Sequence, residues 1–382
     1  MRQFRMRIVL LLALVSAAVA QSALMQSSHT TGSFRGISVV SRNIAWASGT
    51  HGTYLRTTSA GLTWTPAQVP GAATLDFRAV VAFSADEAFL MSAGPGDQSR
   101  IYHTIDSGKH WQLQFTNTNP KGFFDSMVFW DSTQGVVVGD PIPDETGKLK
   151  FELLITDDGQ TWHQIPPGKL PEALEGEGAF AASNSCIAIF DSWKSGASEP
   201  REAMWKSGPS GPRQAAKNDR ASAPADPNIW FATGGKAARV FHSPDRGQTW
   251  EVFNTPILHG PDSAGIFSIA FRDSLHGVIA GGDYKNPKDD GPNLALTHDG
   301  GKTWQLSSVH PQAYFSAVAY DRKTRNRILL AAQDFLLDLR LPANPRRIAP
   351  KKQPDAAFNA ISSTPQGGAF VVGTKGLIGL VP

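Results

Sequence analysis

The sequence predicts an all-β protein, and three observations carry that expectation. No segment of the 382 residues sustains an apolar period of 3.6, so no amphipathic helix is indicated. Short runs of β-branched and aromatic residues recur instead, each bounded by Gly, Asp, Asn or Pro, which are strand and turn signals. One eight-residue pattern also returns five times: "TTSAGLTW" from 57, "TIDSGKHW" from 104, "ITDDGQTW" from 155, "SPDRGQTW" from 243 and "THDGGKTW" from 297. A reaction centre is ordinarily built once, so a segment in five copies indicates architecture.

The repeat is longer than this box, and its period defines the fold. Seven segments open on an aromatic or small residue, a variable residue and a small residue, then run apolar: "FRGISVV" (34), "FRAVVAF" (77), "FDSMVFW" (124), "GEGAFAA" (176), "IFSIAFR" (266), "YFSAVAY" (314) and "FNAISST" (358). A second strand follows each opening and tends to end in Ala or Gly, as in "GVVVGD" and "AFVVGT". A third follows, such as "RIYHT" or "GLIGLV", and in five units the box leads from it into a fourth. The seventh unit ends after three strands at Pro382, while a spare segment, "LMQSSHTT" (24–31), precedes the first. Pairing the two closes a ring and removes its exposed edges. The expected fold is therefore a seven-bladed β-propeller of four-stranded antiparallel blades, with the N-terminal strand completing the last blade.

Within each box, Gly can supply a left-handed backbone and the Asp two residues earlier can accept local N–H bonds. The closing Trp can cover the edge between neighbouring sheets. The residues given these structural roles are Asp106, Gly108 and Trp111; Asp157, Gly159 and Trp162; Asp245, Gly247 and Trp250; and Asp299, Gly301 and Trp304. In the first copy Ser59 replaces Asp, and the third begins with Ile155. The pattern resembles the Asp-box, or BNR, repeat of sialidase-like β-propellers, which implies that the boxes lie on the outer rim. Whole units such as "FRGISVVSRNIAWASGTHGTYLRTTSAGLTW" are more similar to the photosystem II assembly/stability factor family and its bacterial relatives. That resemblance implies an exported seven-bladed propeller that binds protein partners.

The ends and the composition bound the rest. Residues 1–20 read as a signal peptide: a basic start, "MRQFRMR", an apolar stretch, and "AVA" before Gln21. The domain is then 21–382, with no membrane span after cleavage and an exported, periplasmic or extracellular, location. Removing Arg2, Arg5 and Arg7 takes the formal charge from +3 to zero, and no block of like charge suggests nucleic acid. Cys186 is the only cysteine, so no intrachain disulfide can form. The stretch 191–227 is rich in Ser, Pro, Gly, Ala and charge, and is expected to be a flexible insertion between the first two strands of blade four.

If the boxes are structural, function belongs to residues grafted elsewhere on the fold. The variable residue of each opening is expected to ring one mouth of the central channel: Arg35, Arg78, Asp125, Glu177, Phe267, Phe315 and Asn359. Adjacent cations suit a carboxylate or phosphate. Loops at the same mouth add Asp140, Asp283 and Tyr284. No catalytic residue, cofactor or metal is assigned; a calcium site at Asp289 and Asp290 lacks ligand spacing. No glycine-rich dinucleotide fingerprint or CxxCH supports redox chemistry. The expected function is a non-catalytic scaffold for a protein partner in the cell envelope. The alternative is a sialidase-like glycoside hydrolase or a carbohydrate-binding propeller; for the hydrolase Arg35 stands like the first arginine of that family's triad, with the following Pro missing.

Overall fold

A computed structural model describes residues 23–190, 226–340, 345–348 and 355–382. The expected leader, and the insertion up to residue 225, lie outside the described residues.

Seven antiparallel sheets form the blades. Blade one, with strands Phe34–Val39, Ala45–Gly49, Thr53–Thr57 and Thr65–Gln68, sets the pattern for the others. Inner and middle strands are buried on both faces, as in Ala88–Ala93 of blade two, while fourth strands such as Thr65–Gln68 are largely exposed. That gradient explains why strands one to three read as apolar runs and the fourth hardly reads at all. The core is correspondingly divided between blades: Trp64 packs with Phe370, Val372 and Ile378 of blade seven, and Trp162 with Phe89 and Ile101 of blade two. Closure is as expected. Leu24–Gln26 pairs antiparallel with Ile378–Val381, with Leu24 opposite Leu380, and completes the seventh sheet.

Each boxed turn links a third strand to a fourth and satisfies its own backbone. In the fourth copy Ser243 Oγ donates to Asp245 Oδ1 (2.9 Å), and that oxygen accepts from Thr249 N (2.8 Å), while Gly247 N donates to Ser243 Oγ (2.7 Å). The fifth repeats this with Thr297, Asp299, Gly301 and Thr303. The third copy is one residue tighter: Thr156 is its anchor, and Asp158, not Asp157, accepts from Gln160 N and Thr161 N at 2.7 Å each. Ile155 at the position of the usual hydroxyl was the sign of that shift. In the first copy Ser59 Oγ accepts from Thr63 N (3.0 Å). Ser59→Asp reproduces the geometry of the fourth and fifth copies and is expected to stabilise the protein by about 0.5–1 kcal/mol, read from its denaturation midpoint.

Blade four departs from the sequence expectation. Its innermost strand is Ile187–Ile189, paired with Ile229–Ala232, and not the opening at 176. Glu177–Gly178 instead pairs with Gly234–Gly235, which adds to the sheet of blade five. Between the two, residues 179–186 leave the blade and cross the channel.

Candidate functional site at the channel mouth

The mouth is built on a repeated backbone irregularity. In six innermost strands the ladder slips by one residue, after Phe34, Phe77, Phe124, Ile266, Phe315 and Phe358. An unpaired extra residue of this kind re-aims its side chain away from the sheet. The residues in that position are Arg35, Arg78, Asp125, Phe267, Ser316 and Asn359. Five of the seven ring residues thus share the bulge position. Phe315 does not: it is fully buried in the interblade core with Leu330 and Phe335, equivalent to Phe34 and Phe77, and Ser316 takes the bulge. Tyr314 is the aromatic that opens this unit in the sequence, and a one-residue slip exchanges the two faces.

Glu177 also leaves the ring. Its carboxylate accepts from Arg239 Nε (2.9 Å), Thr233 Oγ1 (2.6 Å) and Leu174 N (2.9 Å), and its side chain is fully buried. Those bonds consume both oxygens, so Glu177 and Arg239 form an internal latch.

The segment 179–185 fills the space between the blades. Ala181 O accepts from Arg78 Nη1 of blade two (3.2 Å), and Ser183 Oγ donates to Ser316 O of blade six (2.6 Å). Ser185 meets Ser268 of blade five at 2.7 Å, and Asn184 Oδ1 accepts from Ser126 Oγ and Met127 N of blade three (3.1 and 2.8 Å). Phe180 stacks on Phe267 with centroids 3.9 Å apart and planes 7° from parallel. A Cβ on Gly234 would lie 2.2 Å from the Phe180 ring, so glycine is required there for the ring to pass. Four blades therefore grip one strap.

The strap buries two acids. Asp125 is 1% exposed with Oδ2 lacking any protein partner, and its carboxyl is pushed well above the usual range by burial first and by Asp140 second. Asp140 Oδ1 accepts from Ala179 N (3.1 Å), yet burial outweighs that bond and raises its pKa to about 6. A carboxyl raised in the folded state binds a proton that the unfolded chain releases. Its stabilisation is complete below the unfolded value of 3.8 and is lost as pH rises to about 6. Asp140→Asn keeps the acceptor for Ala179 and is expected to flatten this pH dependence. The variant should be more stable at pH 7 by up to about 3 kcal/mol and little different at pH 4, measured by urea denaturation at both.

Beside the strap stand two arginines, an aspartate and a group of aromatic rings. Arg78 Nε donates to Asp76 Oδ2 (2.9 Å). Beside this pair lies Arg35, whose Nε is buried without a protein partner and whose pKa is lowered by burial first and Arg78 second. Asp76 Oδ1 is likewise buried and unpaired. Tyr314 adjoins Arg35 and packs edge-on against Phe267 at 4.7 Å, with Tyr284 6.1 Å from Phe267 and 44% exposed. Asp283 caps its own turn by accepting from Lys285 N (2.9 Å), and Asn359 Nδ2 donates to Phe34 O (2.8 Å), which ties blade seven to blade one. The sequence reading missed Asp76, Phe180 and Tyr314. Among the described residues no cluster of three His, Cys, Asp or Glu side chains is placed to hold a metal ion.

No protein-family model matches the chain, and no curated protein matches it. Solved structures do. One titled "YCF48 bound to D1 peptide" is similar over 96% of this chain and 99% of its own, at 16% identity and a TM-score of 0.60. The structure of U3-55K covers 95% and 99% at 11% identity and 0.59. The GH74 xyloglucanase from Xanthomonas campestris covers 93% of this chain and 53% of its own at 14% identity and 0.55. The chain has their fold. At such identity the likeness extends to the propeller alone, and the group includes a peptide-bound protein and a hydrolase.

Proposed function

We propose that this protein is an exported, non-catalytic scaffold that binds a protein partner through the mouth carrying Arg35 and Arg78. One observation carries the reading. The acids of the expected ring, Asp125 and Glu177, are turned inward or spent, whereas Arg35 keeps an unpartnered Nε beside Arg78 and an aromatic wall. Such a surface suits a carboxylate on an extended segment, with Tyr284 and Tyr314 flanking its apolar neighbour. The peptide bound to the structurally similar YCF48 supports a protein partner over a small substrate. Export rests on residues 1–20, and is tested by cell fractionation with sequencing of the mature N-terminus at Gln21.

The deciding experiment is affinity capture from cell envelopes with wild type and an Arg35→Ala/Arg78→Ala double variant of unchanged melting temperature. A partner held by wild type and lost with the variant supports the mouth. Equal capture by both removes the arginines from the reading. Capture by neither, together with turnover of a sialoside or other glycoside panel, favours the hydrolase alternative.

A further inference from the structure

In blade five the second and third strands are Gly277–Asp283 and Leu294–Thr297, and their ladder ends with Gly277 opposite Thr297. One step beyond that end stand His276 and His298, cross-strand neighbours at the other end of the blade from Asp283 and Tyr284. In blades one to four the same step holds Ile44 and Thr58, Glu87 and Ile105, Gln134 and Asp157, and Asn228 and Pro244. The repeat therefore does not require histidine there, and the pair is particular to blade five.

The two rings are also placed and oriented. Their centroids are 5.3 Å apart and their planes stand at 79°. The turns that carry them are tied together by Gly300 N, which donates to Leu275 O (2.9 Å). Asp273, itself paired with Arg272 Nε (3.5 Å), sets its two oxygens 2.8 and 2.9 Å from His276 Nδ1. A carboxylate only accepts, so Nδ1 carries the proton and the Nε2 lone pair is left available, which is how a carboxylate behind a histidine prepares it to ligate a metal. The His276 side chain is one-third exposed and His298 is exposed; among the described residues neither His276 Nε2 nor the His298 ring has a hydrogen-bond partner.

We infer that His276 and His298 together bind one late first-row transition-metal ion, copper(II) or zinc, with solvent completing its coordination. Imidazole nitrogen suits these ions. Two imidazoles that ligate a tetrahedral ion through nitrogens about 2.1 Å from it have centroids about 5 Å apart, the separation found here. Two protein ligands make an open site, which holds its ion less tightly than a closed four-ligand one and leaves positions free for exchange. The site lies on the face opposite the Arg35 mouth and does not depend on the function proposed for it.

The test is titration of the untagged full chain with copper(II) chloride, followed by calorimetry and by electron paramagnetic resonance, whose hyperfine pattern counts the bound imidazole nitrogens. His276→Ala and His298→Ala each remove one ligand, and His110→Ala removes a 90% exposed histidine of blade two as a control. Wild type is expected to show a saturable site with two imidazole nitrogens. Binding should be at least about tenfold weaker, with one nitrogen, in each ligand variant, and unchanged in His110→Ala; zinc chloride should compete for the same site, less tightly than copper. His298→Gln repeats the measurement if His298→Ala lowers the melting temperature. Absence of saturable binding to wild type, a two-nitrogen signal that persists in either ligand variant, or an equal loss in His110→Ala overturns the site.

Discussion

Glu177→Ala is expected to lower the free energy of unfolding by about 3–5 kcal/mol, because it removes one partner of a buried ion pair and leaves the other. Arg239 would retain only Glu172 O (3.1 Å) as an acceptor for its Nη2, while Thr233 Oγ1 and Leu174 N would lose the carboxylate altogether. The latch also holds the short ladder between Glu177–Gly178 and Gly234–Gly235, at which the strap begins. Glu177→Gln keeps acceptor capacity for Thr233 or Leu174 and should cost roughly 1–3 kcal/mol. Chemical denaturation of the two variants checks the order, and equal stability of Glu177→Ala and wild type would refute a structural role for the pair.

Arg327→Leu is expected to produce a loss of similar size in blade six. Arg327 Nε donates to Asp338 Oδ1 at 3.0 Å and Nη1 to Asp321 Oδ2 at 3.4 Å, with the acids 3% and 1% exposed. Leucine fills part of the volume but removes the cation between two buried carboxylates, leaving Asp321 its backbone donors Lys323, Thr324 and Gly368 and Asp338 the exposed Arg340, a deficit of about 3–5 kcal/mol at pH 7. With the Arg327 charge gone, less holds the Asp321 carboxyl below its usual range, so the deficit should shrink as pH falls toward 5. Urea denaturation of wild type and variant at pH 7 and pH 5 measures both effects. A deficit that is constant across that interval would indicate lost packing and not lost charge pairing.

Much of this fold was legible because its signals repeat. A single "FRAVVAF" followed by "AFLMSA" is an ordinary hairpin; seven such units, the last one strand short and the first preceded by a spare strand, indicate a closed ring. The boxes were legible to within one residue, since Asp157 and Asp158 are chemically alike and only the hydroxyl anchor Thr156 distinguishes them. The site was less legible. Burial of Asp125 and consumption of Glu177 depend on contacts with residues far away in sequence, which periodicity does not encode. The strap was hidden for a further reason: "AFAASNS" has the small and polar composition of an innermost strand, and nothing local says that it leaves the blade. The paired glycines at 234 and 235 were the one sequence sign of a ring passing close by.

The seam between Leu24–Gln26 and Ile378–Val381 sets an order of events for a chain synthesised from its N-terminus. The strand that emerges first finds its partner only when the final residues arrive. Until then Leu24–Gln26 and Ile378–Val381 present unpaired edges to neighbouring chains. Trp64, whose Nε1 donates to Gln26 Oε1 (2.9 Å), cannot be seated before the seam closes. The ring is thus a timed structure: blades two to six can assemble as they appear, and the circle is completed only by Ile378–Val381.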